Sequence, residues 1–167
     1  ESKVNEGTKF TILLPFKIDP NPHVIKPQLE NVSLKGVRAL LVEDNDLNLE
    51  IAKFQLEQDD VEVFTALNGQ EAVDMFEKSE IGFYNIILMD MMMPVMNGLE
   101  ATRRIRAMDR ADAKAIPIIA MSANAFEQDI KASMDAGLNA YLVKPMDAKK
   151  VSDTMKQFLA NQIIHKE

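Results

Sequence analysis

Five residues able to do chemistry share one setting, at or just past the end of a short apolar run. Glu43 and Asp44 follow Val37–Val42, and Asp90 follows Tyr84–Met89. Ser122 follows Ile116–Met121, and Lys144, with Pro145 behind it, follows Ala140–Val143. Gathered in one place, these residues offer three carboxylates, a hydroxyl and an ammonium. Two like charges about 4 Å apart repel by roughly 4 kcal/mol at an effective dielectric near 20, so the carboxylates need a cation or a raised pKa. Mg²⁺ suits them, because it prefers oxygen ligands, keeps several waters and takes only one or two protein carboxylates. The remaining groups then read as phosphoryl chemistry. A carboxylate can act as nucleophile and form an aspartyl phosphate, and the transfer needs alignment and neutralised oxygens more than bond chemistry from the protein. Asp90 is the best nucleophile, since it ends the central run and precedes the loop Met91–Met96. Asp44 is assigned as direct metal carboxylate, Glu43 as a water-mediated partner, and Lys144 and Ser122 as donors to the phosphoryl oxygens.

Each piece alone has a plainer explanation. Glu43-Asp44 equally suits a helix-capping acidic turn, Asp90 a solvated loop, Lys144 the surface, Ser122 a helix cap and Tyr141 half-buried packing. The eleven methionines, bunched at 89, 91, 92, 93 and 96, read as packing rather than metal ligands, and His23 and His165 fall in tails. The joint occurrence at successive run ends favours the functional reading.

The runs are short, rich in β-branched or large apolar residues and free of alternation, as in parallel strands covered on both faces. A further run, Val61–Thr65, carries no chemistry beyond it. Helical patterns lie between them. Leu47, Ile51 and Phe54 recur at spacings of four and three after Asp44, Asn45 and Asp46, any of which could cap. Asn68 precedes Ala72, Val73 and Phe76, and Asn97-Gly98 precedes Leu99, Thr102, Ile105 and Met108. Phe126, Ile130 and Met134 mark a fourth helix that Gly137 would stop. Val151, Met155, Phe158, Leu159 and Ile163 form the last stripe. Five strands alternating with helices predict an α/β fold, a three-layer α/β/α sandwich around a five-stranded parallel sheet. The expected order is 2-1-3-4-5, as in flavodoxin-like sheets, where ligands bind beyond the carboxyl ends of the strands.

A net charge of −7 argues against nucleic-acid binding. No apolar run approaches the roughly 20 residues that span a bilayer, so no direct membrane contact is expected. Cysteine is absent, which removes disulfides and thiolate metal sites and fits a cytoplasmic setting.

These segments resemble the response-regulator receiver family over about residues 36–163. Val42-Glu43-Asp44-Asn45, with Asn48 following, is similar to the family's acidic turn. Met89-Asp90-Met91-Met92-Met93-Pro94-Val95-Met96-Asn97-Gly98 resembles its phosphoacceptor strand and loop, Met121-Ser122-Ala123-Asn124-Ala125 its hydroxyl segment, and Tyr141-Leu142-Val143-Lys144-Pro145 its Lys-Pro signature. The resemblance implies that Asp90 carries the phosphoryl group. It implies that Glu43, Asp44, Asp90 and the carbonyl of Met92 organise Mg²⁺, and that Lys144 and Ser122 bind phosphoryl oxygens. Ala123 leaves space, Tyr141 is a switch aromatic, and the Lys144–Pro145 bond is cis. On this reading the domain is a phosphoacceptor and not an enzyme, and its output is altered partner affinity through the fourth helix, fifth strand and fifth helix. Its partners would be a histidine kinase core, a histidine phosphotransfer domain, or both.

The first 18 residues resemble the last glycine box and final strand of a histidine-kinase ATP-binding domain, through Gly7-Thr8-Lys9-Phe10-Thr11-Ile12-Leu13-Leu14-Pro15-Phe16, although Asn5 stands where that family has a glycine. An unrelated edge strand is the alternative. Residues 19–35, with Pro20, Pro22 and Pro27, read as a linker, 36–163 as the receiver and 164–167 as a tail. The chain lacks an initial Met and is read as a fragment of a hybrid sensor kinase, whose whole could be membrane-anchored. Phe10, Ile12, Leu14 and Phe16 alternate on one face and are expected to pair with a sheet edge or a second copy, giving a homodimer.

Three rival readings differ in chemistry. An aspartate-based phosphatase needs an Asp two residues after the nucleophile, where Met92 stands. A flavin binder needs a first loop that accepts phosphate, which Glu43, Asp44 and Asp46 would repel. A phosphate-independent scaffold regulating its own kinase core needs none of Asp44, Asp90 or Lys144, yet all are present.

Overall fold

The computed structural model describes residues 2–3, 7–8, 32–123 and 134–164, with 2–3, 8 and 161–164 described as backbone only. Five strands form the main sheet: β1 (Arg38–Val42), β2 (Glu62–Ala66), β3 (Ile86–Asp90), β4 (Ile118–Ser122) and β5 (Ala140–Val143). Their order is β2-β1-β3-β4-β5, and every neighbouring pair is parallel, as expected. Asp90 and Ser122 are the last residues of their strands rather than the first beyond them.

Strand residues of opposite parity feed two cores. On one face Leu40, Val42, Ile87, Met89 and Ile118 pack against α2 (Gly69–Lys78) and α3 (Gly98–Ala107), through Ala72, Phe76, Ala101 and Ile105. On the other face Ala39, Leu41, Ile86, Leu88 and Met121 pack against α1 (Asp46–Glu57) and the C-terminal helix, Ala148–Ile164. Covering both faces explains why the strands read as unbroken apolar runs. Phe76 is fully enclosed, and truncating such a side chain typically costs about 3–5 kcal/mol.

Helix starts follow the sequence reading. Asn45, Asn68 and Asn97 are the N-caps, each accepting from the backbone N–H three residues on, at 3.0, 2.9 and 2.9 Å. The face of α1 does not follow it. Leu47, Ile51 and Phe54 point to solvent, while Leu49, Ala52 and Leu56 are buried. The helix carries apolar residues on two faces, and only the sheet decides which one is covered. Phe126 and Ile130 of the fourth helical pattern lie outside the described residues. Met134 is half exposed, and Gly137, at φ +99°, takes the left-handed stop expected of it. In the last stripe Val151, Met155 and Leu159 are buried, Phe158 packs at the margin, and the side chain of Ile163 is outside the described set.

Gly7–Thr8 forms a short antiparallel pair with Ser2–Lys3. The alternating Phe10, Ile12, Leu14 and Phe16 fall outside the described residues, as does most of the expected linker.

Two arginines tie the loops at the amino ends of the strands. Arg106 donates to the carbonyls of Gly137, Ala113 and Ile116 and to Asn139 Oδ1, at 2.9, 2.6, 2.8 and 2.9 Å. Burial among these neutral acceptors lowers its pKa to about 10. Arg110 grips Asp112 at 2.7 and 2.9 Å and donates to the carbonyls of Phe76, Ser79 and Glu80 at the end of α2. The Arg110 hydrogen bond holds Asp112 below the usual carboxylate range, burial opposes this, and the Gly82 N–H adds to the lowering.

Candidate functional site

Parallel pairing brings β1, β3, β4 and β5 to the same end of the sheet, so their last residues converge. Glu43 continues β1, its N–H still bonded to the Ala66 carbonyl at 3.1 Å. Lys144 continues β5, its N–H donating to the carbonyl of Ser122 at 2.8 Å. The Lys144–Pro145 bond is cis, as the resemblance implied.

The side chains then meet. The Lys144 ammonium donates to Glu43 Oε2 at 2.5 Å and to Asp90 Oδ2 at 2.8 Å. Both carboxylates are nearly enclosed, Glu43 at 2% and Asp90 at 4% exposure, whereas Asp44 faces solvent. Burial works against the charged lysine, but the bonds to Asp90 and Glu43 outweigh it and raise the Lys144 pKa above its ordinary value. The other oxygen of Glu43 accepts from Asn48 Nδ2 at 2.9 Å, and Asp90 Oδ1 accepts from the Met92 N–H at 3.2 Å. Carboxylate oxygens of Glu43, Asp44 and Asp90 all lie within 4.8 Å of one another. Three carboxylates against one ammonium leave negative charge in excess, and the exposed Asp44 opens the cluster to solvent. Such an all-oxygen donor set fits a hard divalent cation.

Ser122 is buried at the end of β4, and Tyr141 is half-buried on β5, packed beside the α2–α3 core. The structure therefore unites Glu43, Asp44, Asp90 and Lys144, with Ser122 on the adjacent strand end and Met92 just beyond Asp90.

Local backbone holds this end in shape. A Cβ on Gly98 would collide with the main-chain carbonyl of Asp90, so only glycine lets α3 begin against the strand end. In the intervening loop Val95 is left-handed at φ +66° and 85% exposed, although β-branched residues disfavour that region. Sequence reasoning gave no role to Asn48 or Gly98. The signal for Asn48 was its place in the first turn of α1, which returns its amide to Glu43.

A family model for the response regulator receiver domain matches residues 39–156. The peroxide stress-activated histidine kinase mak1 of Schizosaccharomyces pombe is 34% identical over 123 residues, 73% of this chain and 8% of that protein. The osmosensing histidine protein kinase SLN1 of Saccharomyces cerevisiae is 36% identical over 128 residues, 75% of this chain and 10% of that protein. The chain thus spans about a tenth of these relatives. Among solved structures, the receiver domain of a sensor histidine kinase from Pseudomonas aeruginosa, with a magnesium ion in its active site cleft, shares 34% identity at a TM-score of 0.68. That match covers 75% of this chain and 98% of the other.

Proposed function

The chain belongs to the response regulator receiver domain family, and from that premise we propose that it accepts a phosphoryl group on Asp90 in a two-component phosphorelay. The observation that carries this reading is the Lys144 ammonium lying between Glu43 and Asp90, at 2.5 and 2.8 Å, beside the exposed carboxylate of Asp44.

In this reading an oxygen of Asp90 attacks the phosphorus of the donor, the bond to the donor's leaving group breaks, and an acyl phosphate forms. Lys144, bonded to Asp90 at 2.8 Å, would pair with the oxygens of a phosphoryl group there, and its raised pKa keeps it cationic throughout the physiological range. Asn48 would help orient Glu43, and the Met92 N–H would do the same for the Asp90 carboxylate. Ser122 would donate to a phosphoryl oxygen and Tyr141 would respond to its movement. Mg²⁺, held by Asp44 and Asp90, by Glu43 through water and by the Met92 carbonyl, would neutralise charge on the transferring oxygens.

The domain is read as one module of a hybrid histidine kinase, with residues 1–18 ending the ATP-binding domain and 19–35 as linker. A match of 31% identity to histidine kinase mak2 of Schizosaccharomyces pombe over 95% of the chain supports that arrangement. The favoured acceptor is a histidine phosphotransfer domain. The exposed stripe Leu47, Ile51 and Phe54 on α1, with Met92 and Val95 in the loop after Asp90, supports docking of a partner with an apolar face at this end. A cytoplasmic location follows from the same reading; among the described residues no helix is long and apolar enough to cross a membrane.

Intact-mass spectrometry after incubation with acetyl phosphate and Mg²⁺ tests the proposal. One base-labile phosphoryl adduct is expected on the wild type and none on Asp90→Asn. An adduct that persists on Asp90→Asn, or a wild type that never labels, would overturn it.

A further inference from the structure

At the amino ends of the strands, far along the sheet from Asp90, lies an open groove of about 560 Å³. Its floor is aromatic. Phe64, Phe83 and Tyr84 contact one another edge to face at centroid distances of 4.9–5.6 Å, and Phe64 and Phe83 remain partly exposed. Met75, from α2, completes the apolar lining. Two cations stand on the rim. Arg38 lies 4.7 Å over the Phe83 ring and reaches the Gly82 carbonyl, and Lys78 ends α2 in solvent. Neither makes an ion pair among the described residues, and Glu80 is the one acidic side chain lining the groove.

The groove lining therefore carries two cations to one carboxylate, a local positive excess in a chain of net charge −7. Cations that outnumber carboxylates beside exposed aromatic surface attract an anion that also carries apolar surface. The volume accommodates a few side chains, and the open shape suits a segment lying across it better than an enclosed small molecule. We propose that this groove docks an acidic peptide segment with an aromatic or aliphatic anchor, the anchor packing on Phe64 and Phe83 and its flanking carboxylates meeting Lys78 and Arg38. Because the groove opens at the far end of the sheet, a segment held there leaves Asp90 accessible. Docking would raise the local concentration of a tethered partner without competing for the phosphoryl site.

The test uses a fluorescein-labelled pentapeptide, Asp-Glu-Phe-Leu-Asp, and its basic counterpart, Lys-Lys-Phe-Leu-Lys. Anisotropy titrations should show saturable binding of the acidic peptide below about 1 mM, weakening with added salt. Lys78→Glu should weaken it about five-fold, and amide shifts in ¹H–¹⁵N spectra should centre on Met75, Ser79 and Phe83. Lys78 is exposed, so this variant should fold, and a wild-type far-ultraviolet spectrum confirms that it has. Equal binding of the two peptides, unchanged affinity in Lys78→Glu, shifts centred on α1 or Asp90, or no saturable binding would each overturn the proposal. None of these outcomes bears on phosphorylation, which the mass measurement tests separately.

Discussion

At the carboxyl ends of the strands three carboxylates surround one ammonium, whereas at the amino ends two arginines are embedded among carbonyl oxygens and one carboxylate. Both arrangements cross-link segments distant in sequence, and both bury charge. They differ in what is left over. Arg106 and Arg110 have their donors distributed over acceptors at hydrogen-bonding distance, so nothing further is required there. Around Lys144 the negative charge exceeds the positive and one carboxylate faces water, so the cluster is complete only with something added. Surplus charge separates the Lys144 cluster from the two arginine ties.

The largest expected effect breaks that distinction at the carboxyl ends of the strands. Lys144→Met should reduce the initial rate of Asp90 labelling by acetyl phosphate about a hundred-fold or more, with the far-ultraviolet spectrum retained. Unchanged labelling would mean that Lys144 is only structural, like its counterparts at the far end. Next, Arg106→Met should cost about 2–4 kcal/mol in urea unfolding by leaving carbonyls near Ala113, Ile116 and Gly137 without a donor, while the folded fraction labels at the wild-type rate. Gly98→Ala should cost about 1–3 kcal/mol, because the Asp90 backbone must yield to the new Cβ. It should also slow labelling, which Arg106→Met should not.

The two ends should also part company with pH. Asp112 is held below its ordinary value, so its contribution is present above an unfolded pKa near 3.9 and is lost as pH falls through the lower folded value. Lys144 is raised, so its contribution is complete below about 10.4 and is lost as pH rises through the higher folded value. Comparing Asp112→Asn with wild type should therefore give a gap of about 1 kcal/mol at neutral pH that closes in acid; a gap that stays constant down to pH 2 would contradict the assignment. The smallest effect belongs to α1. Phe54→Ser should change stability by less than about 0.5 kcal/mol, since the ring is 63% exposed, and should instead lower affinity for a phosphotransfer partner.

The strand-end cluster was legible because it depends on an alternation of strands and helices that sequence displays directly. Once the strands are parallel, their last residues must share one end, and Glu43, Asp90, Ser122 and Lys144 follow from that alone. The orientation of α1 was not legible. Its two stripes, 47-51-54 and 49-52-56, have the same periodicity, and the choice between them is made by the sheet face. The arginine ties were hidden for another reason. Arg106 reaches carbonyls 7, 10 and 31 residues away, and main-chain acceptors carry no residue-type signal. The aromatic groove was equally hidden, since Arg38, Phe64, Met75 and Phe83 come from separate elements.

The ammonium that completes the pocket is 101 residues from Glu43 and 54 from Asp90, and it follows the edge strand formed last in chain order. A ribosome delivers Glu43, Asp44 and Asp90 long before Lys144. A nascent chain halted before residue 140 therefore displays acidic side chains without their ammonium, and is expected to react poorly with a phosphodonor however well its first four strands have formed. The four charged groups of the cluster would then come together in one step, with the docking of β5.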